Sequence, residues 1–153
     1  MKLIGPVEKS TGFFLYFCRM TKKIIIPSLL VLLAACGDPH SFKKAEDAQD
    51  AGREFIRASL DGNYEKASFY LYADSTNQMM LAKWKKDYDR LDGDEQKKYK
   101  DADIMPINIQ PLNDSVTSYT YTNTYKKDTT TVKIVRIKGE WLVDLKEILN
   151  AKK

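Results

Sequence analysis

The strongest constraint on this chain is a change of period along it. Between Val116 and Leu145 apolar and polar side chains alternate, the period of a strand with one buried face. Tyr119, Tyr121 and Tyr125 fall on one side of the segment Val116 to Tyr125, with mainly threonine and serine on the other. Lys127-Asp128 and Lys138-Gly139 read as turns, which predicts strands at Val116 to Tyr125, Thr129 to Ile137 and Glu140 to Leu145. With Lys138-Gly139 as a two-residue loop, Arg136 faces Trp141, Ile134 faces Val143 and Val132 faces Leu145, while Lys133 and Asp144 pair on the other face. With Lys127-Asp128 also a two-residue loop, Tyr121 faces Ile134 and Tyr119 faces Arg136. A one-residue slip would scramble that segregation. A further strand precedes these at Ile104 to Leu112, where Pro106 and Pro111 demand an edge or a bulge.

Upstream the spacing is helical. Ala45, Ala48, Phe55, Ile56 and Leu60 share a face between Lys43 and Leu60, with Gly52 mildly unfavourable inside it. Asp61-Gly62-Asn63 stops that helix, and a second, short one is expected from Tyr64 to Tyr72. Asp74, Ser75 and Thr76 offer capping oxygens for a third, carrying the stripe Met80, Trp84, Tyr88 and Leu91, which reads as core packing. Glu95 to Asp101 is highly charged and is expected as a solvated turn or short helix. Helices first and strands after define an α+β class, with the helices packed on one face of an antiparallel sheet.

The amino terminus is of another kind. Ile24 to Ala35 is almost wholly apolar behind Lys22 and Lys23. A bilayer span needs roughly 20 apolar residues, whereas a signal peptide needs ~7–15. The run fits the second. Leu33-Ala34-Ala35-Cys36 resembles a bacterial lipobox. The resemblance implies that Leu33, Ala34 and Ala35 are read by the processing machinery, that Cys36 is lipidated, and that cleavage falls before it. Gly37 follows, where an aspartate marks inner-membrane retention in enterobacterial lipoproteins, and no acidic run succeeds it. The expected location is therefore the cell envelope, at the outer membrane facing the periplasm. Two or more acyl chains suffice for stable anchoring. The expected organisation is a signal peptide over 1–35, a lipidated tether over 36–42, and one α+β domain over 43–153. Met20-Thr21-Lys22-Lys23 is itself a normal leader start, so 1–19 reads as a start-site extension.

Charge narrows the function classes. The chain has 25 basic and 21 acidic residues, but Lys2, Lys9, Arg19, Lys22 and Lys23 against Glu8 belong to the leader, leaving the remainder balanced. No basic excess argues for nucleic acid. Beyond the leader Cys36 is the sole cysteine, so neither an internal disulfide nor a cysteine-rich zinc site is expected. The sole histidine, His40, lies in the tether, so a serine–histidine or cysteine–histidine arrangement lacks its base. The sequence has no phosphate-binding glycine loop, calcium loop or internal repeat, and no cofactor or metal is expected.

Asp61-Gly62-Asn63-Tyr64-Glu65-Lys66-Ala67 after a first helix, and the closing pair Val132 to Leu145, resemble the nuclear transport factor 2-like fold over roughly Lys43 to Leu149. The resemblance implies a curved sheet wrapped around helices, with a pocket at the open end of a cone. Some members of that superfamily are isomerases, dehydratases or cyclases, and many others bind or dimerise without catalysis. The fold alone does not choose among them.

Isomerases of this fold pair an aspartate base with a tyrosine or a protonated acid as oxyanion donor. Here Tyr119, Tyr121 and Tyr125 could donate, but Asp144 falls on the opposite face, and Asp103 and Asp114 lie at strand edges. The expected function is non-catalytic binding of a small ligand or an envelope protein. The candidate pocket residues are Tyr70, Trp84, Tyr119, Tyr121, Arg136 and Trp141, with Arg136 stacked on Trp141. The alternative is an assembly or dimerisation module, with Val135, Ile137 and Leu142 as its small apolar patch and a homodimer as one outcome. An isomerase- or dehydratase-type enzyme is the third reading.

Overall fold

The computed structural model describes residues 42–150, with side chains described from Phe42 to Ile148. The expected leader, the lipobox-like segment with Cys36, and the expected tether as far as Ser41 lie outside the described residues.

Among the described residues four helices precede the sheet: α1 (Ala48–Leu60), α2 (Tyr64–Phe69), α3 (Ser75–Asp89) and α4 (Gly93–Lys100). Each starts on an Asp or Asn side chain that accepts a backbone N–H three residues on. Asp47 takes Asp50, Asn63 takes Lys66, Asp74 takes Asn77 and Asp92 takes Glu95, at 2.7–3.0 Å. Such caps contribute ~0.5–2 kcal/mol each. The Asp47 cap also explains why α1 starts at Ala48 and not, as the spacing suggested, near Lys43. Before it the chain is held apart from the helix, with Phe42 against the Phe69 ring at 5.6 Å and the Lys43 carbonyl accepting from Tyr70 Oη at 2.7 Å.

α1 ends on Gly62 at φ +73°, with Gly62 N bonded to Ser59 O and Asn63 N to Ala58 O, a Schellman motif. α2 is shorter than its sequence suggested. Beyond Phe69 the backbone leaves the helix to pair with the sheet: Val143 N donates to Tyr70 O at 2.8 Å and Tyr72 N to Val143 O at 2.9 Å. Where the sequence suggested a solvated turn or short helix over Glu95 to Asp101, α4 forms from Gly93, with Asp94 and Glu95 in the first turn and three lysines in the last, as the helix dipole favours. Arg57 on α1 ties this helix down. Its guanidinium donates to the carbonyl of Lys100 (3.0 Å), the last residue of α4, and to that of Ala102 (2.7 Å) just beyond it.

The sheet is an antiparallel meander in the order β1 (Ile104–Asn113), β2 (Val116–Asn123), β3 (Thr130–Ile137), β4 (Glu140–Asp144). Lys138 (φ 51°) and Gly139 (φ 86°) form the last hairpin turn, both in the left-handed region that a type I′ turn requires. The register is as expected there: Arg136 faces Trp141, Ile134 faces Val143, and Lys133 faces Asp144. The ion pair expected across Lys133 and Asp144 does not form. Lys133 Nζ instead reaches Glu147 at 2.6 Å, on the terminal helix α5 (Glu147–Asn150), and Asp144 pairs with Lys146.

Between β2 and β3 the register differs from expectation by four residues: Tyr119 faces Val132, Tyr121 faces Thr130, and Ile134 faces Thr117. The connection is longer than Lys127-Asp128. Asn123 Oδ1 accepts the N–H groups of Tyr125 (3.0 Å) and Lys126 (2.8 Å), and Lys127 takes φ 59°, so the chain curls from Thr124 to Thr129 before pairing resumes. Tyr125 falls in this loop and not on β2. Because the offset is even, every side chain keeps its face, and Tyr119 and Tyr121 stay inward.

β1 is the edge. Its ladder shifts between Pro106 and Asn108 and between Pro111 and Asn113, as the prolines demanded. Ile107 and Leu112 sit at those shifts and are exposed with Met105, a broken edge that does not template further pairing well. The core lies between α1 and the inner face, where Phe55, Ile56, Tyr119, Val132, Ile134, Val143 and Leu145 are almost solvent-free. Asn77 is buried with them. Its Oδ1 accepts Leu145 N at 2.9 Å and its Nδ2 donates to Tyr72 O at 3.1 Å, joining α3 to the end of β4.

Candidate functional site

The helices do not cover the inner face evenly. Between the C-terminal half of α1, α2, α3 and the loop after β2 lies a cavity of about 310 Å³. Ligand sites start at roughly 300 Å³, so this one would hold a small molecule. Ile56, Ser59 and Leu60 of α1 form one wall; Trp84 and Tyr88 of α3, with Tyr64 of α2, form the next. Tyr99 of α4 and Tyr121 and Asn123 of β2 close the far side. Asp87, Lys126 and Asp128 line it as exposed side chains and mark its mouth.

The aromatic rings support one another. Tyr64 and Tyr88 meet edge to face at 6.0 Å, Tyr88 lies 6.1 Å from Tyr99, and Tyr99 meets Tyr125 edge to face at 5.1 Å. Tyr64 Oη donates to the Trp84 carbonyl at 3.1 Å, fixing α2 to α3 beside the cavity. Tyr88 rests on Gly62, where a Cβ would lie 2.5 Å from its Cε1, so the glycine serves both the α1 stop and the cavity wall. The Tyr88 hydroxyl is buried and finds no hydrogen-bond partner among the described residues. A buried hydroxyl in that state costs about 1–3 kcal/mol.

Burial pushes the phenols of Tyr64 and Tyr121 far above their ordinary range, with a Thr130 hydrogen bond pulling Tyr121 partly back. Burial raises Tyr88 as well, and Tyr99, where the Lys126 ammonium works the other way. All four are neutral donors near pH 7. The carboxylates of the lining, Asp87 and Asp128, are at the exposed mouth. Among the described residues no cluster of three or more His, Cys, Asp or Glu could hold a metal.

Of the six residues singled out from the sequence, Trp84 and Tyr121 line this cavity. Tyr70 is buried elsewhere, meeting the Phe69 ring at 5.1 Å. Tyr119 is packed over Gly52 of α1. Arg136 does stack on Trp141, at 5.5 Å, but neither lines the cavity. The residues that sequence reasoning missed are Tyr64, Tyr88, Tyr99 and Asn123. Tyr88 stood in the stripe Met80, Trp84, Tyr88 and Leu91, read as core packing, of which Trp84 alone was also named for the pocket. The signal overlooked was that Tyr88 carries a polar handle too, which a purely apolar core has little use for.

No protein-family model matches the chain, and no curated protein matches it. Among solved structures it is similar to the crystal structure of an NTF-2 like protein of unknown function from Shewanella oneidensis MR-1, with 13% identity and a TM-score of 0.45 over 62% of this chain and 89% of that one.

Proposed function

We propose that this chain is a lipid-anchored envelope protein whose α+β domain is a nuclear transport factor 2-like cone that binds a small ligand without catalysis. Cys36 carries the anchor, at the outer membrane facing the periplasm. The observation that carries the binding reading is the cavity beside Trp84 and Tyr121 with the unpartnered Tyr88 hydroxyl in its wall. A buried hydroxyl without a partner destabilises the fold, and a ligand group that donated to it or accepted from it would recover the loss. Absence of catalysis is favoured because the deep part of the lining offers rings and hydroxyls, while its carboxylates sit in solvent.

Two measurements test this. Full-length protein purified from its host in detergent should release a small molecule on denaturation, identifiable by mass spectrometry, and a Ser59→Phe variant that fills the cavity should not. Release of nothing from either would end the binding reading. Replacing Cys36 by Ser should move the protein from the membrane to the soluble fraction, and an unchanged distribution would remove the anchor assignment.

A further inference from the structure

The charge around the cavity says more than its size. The lining includes five aromatic rings, whose faces carry negative quadrupole density. Its mouth has two carboxylates, Asp87 and Asp128, against one ammonium, Lys126. Asp128 has no ion-pair partner among the described residues, and Asp87 has only Arg90 at 3.8 Å. Asp89 also acts on Tyr64, and Glu95 on Tyr99, though Asp89 is paired with Lys85 and Glu95 accepts from Tyr125 Oη at 3.4 Å. The rings of Tyr99 and Tyr125 already hold a cation. Lys126 Nζ lies 5.0 Å from the Tyr125 centroid and 5.8 Å from that of Tyr99.

Resting on the binding reading above, we infer that the ligand is a small organic cation, a protonated amine on a compact apolar body, seated among Trp84, Tyr88, Tyr99 and Tyr121 with its charge toward Asp87 and Asp128. Ring faces attract cations most when water is excluded, and a wall of neutral phenols does not repel the apolar body. An anion would meet the two carboxylates with Lys126 as its sole full positive counter-charge in the lining. Lys126 occupies the cation's approach and competes with it.

The probes are 2-phenylethylammonium, 2-phenylethanol and phenylacetate, alike in body and differing in charge. The protein is the full-length chain in detergent carrying Trp141→Phe, so that Trp84 is its sole tryptophan. Trp84 emission should respond saturably to the ammonium at about tenfold lower concentration than to the alcohol, as a cation–π site with nearby carboxylates would give. Asp87→Asn with Asp128→Asn should erase most of that preference, and added salt should weaken it. Lys126→Met should tighten the ammonium and not the alcohol. If the alcohol binds as well, or phenylacetate binds better, the charge inference fails and the cavity remains a binding site. If no probe changes Trp84 emission, both readings fail.

Discussion

The ring of Tyr119 lies directly on Gly52, so close that a Cβ there would stand 2.9 Å from Cδ2 and 3.1 Å from Cε2. A glycine in the middle of a helix costs about 1 kcal/mol relative to alanine. Here it lets α1 approach β2 until the buried tyrosine closes the core.

Gly52→Ala should therefore destabilise the protein although it improves helix propensity. Overpacking of about 1–3 kcal/mol is set against a gain of about 1 kcal/mol. Urea unfolding reads the net sign. In a Tyr119→Leu background the same substitution should become neutral or favourable, and an equal cost in both backgrounds would show that the ring is not the obstacle.

Gly62 and Gly139 separate two reasons for a glycine. Both have positive φ, +73° and +86°, but a Cβ at Gly62 would meet Tyr88 at 2.5 Å and one at Gly139 would meet nothing within 4 Å. Gly139→Ala should cost only the left-handed strain, about 1–2 kcal/mol. Gly62→Ala should cost about 1–3 kcal/mol more through the displaced ring. Comparable losses at the two positions in thermal or urea unfolding would refute the Tyr88 contact. Because Tyr88 lines the cavity, Gly62→Ala should also alter Trp84 emission, and Gly139→Ala should not.

What the sequence made legible was set by short-range chemistry. The Lys138-Gly139 hairpin admits one turn type, and its register followed down β3 and β4. Pro106 and Pro111 cannot donate to a ladder, and the shifts appeared beside them. The β2–β3 register failed because Asn123, two residues before the expected strand end, captures the next backbone N–H groups, a contact that alternation does not encode. α2 was overextended because Tyr70 and Tyr72 exchange helical bonds for bonds to Val143, more than 70 residues away in sequence. Beyond Trp84 and Tyr121, the cavity lining was missed in the same way. The cavity walls come from the four helices before the sheet and from the chain running from β2 into β3, and periodicity shows which face of each is apolar but not where two such faces fail to meet.

Asn77 is the polar side chain most completely buried in the core, at 0% exposure. Asn77→Ala would leave Leu145 N–H without its partner, while the Tyr72 carbonyl keeps the N–H of Asp74 at 2.9 Å. One orphaned buried donor costs about 1–3 kcal/mol, and a loss of that size is expected. Hydrogen exchange locates it: the Leu145 amide should lose protection first, while Val132 and Ile134 retain theirs. Uniform loss across the sheet would mean that Asn77 supports global stability and not this one junction.

High pH should unfold the protein through its tyrosines. Burial is the first cause raising the phenols of Tyr64, Tyr70, Tyr88, Tyr99, Tyr119 and Tyr121 above the ordinary 10.0. Above pH 10 the unfolded chain releases those protons and the folded chain keeps them, so the folded state binds more protons and stability falls as pH rises. Their contribution is complete below pH ~10 and is lost as pH climbs through the folded values. For a fully buried ring such as Tyr121 the slope is about 1.4 kcal/mol per pH unit. Tyrosinate absorbance and circular dichroism followed together should show the buried phenols ionising in the same cooperative step that destroys the helices. Smooth ionisation near pH 10 with the helical signal intact would mean that water reaches these rings, and the cavity wall would then have to be far looser than its packing indicates.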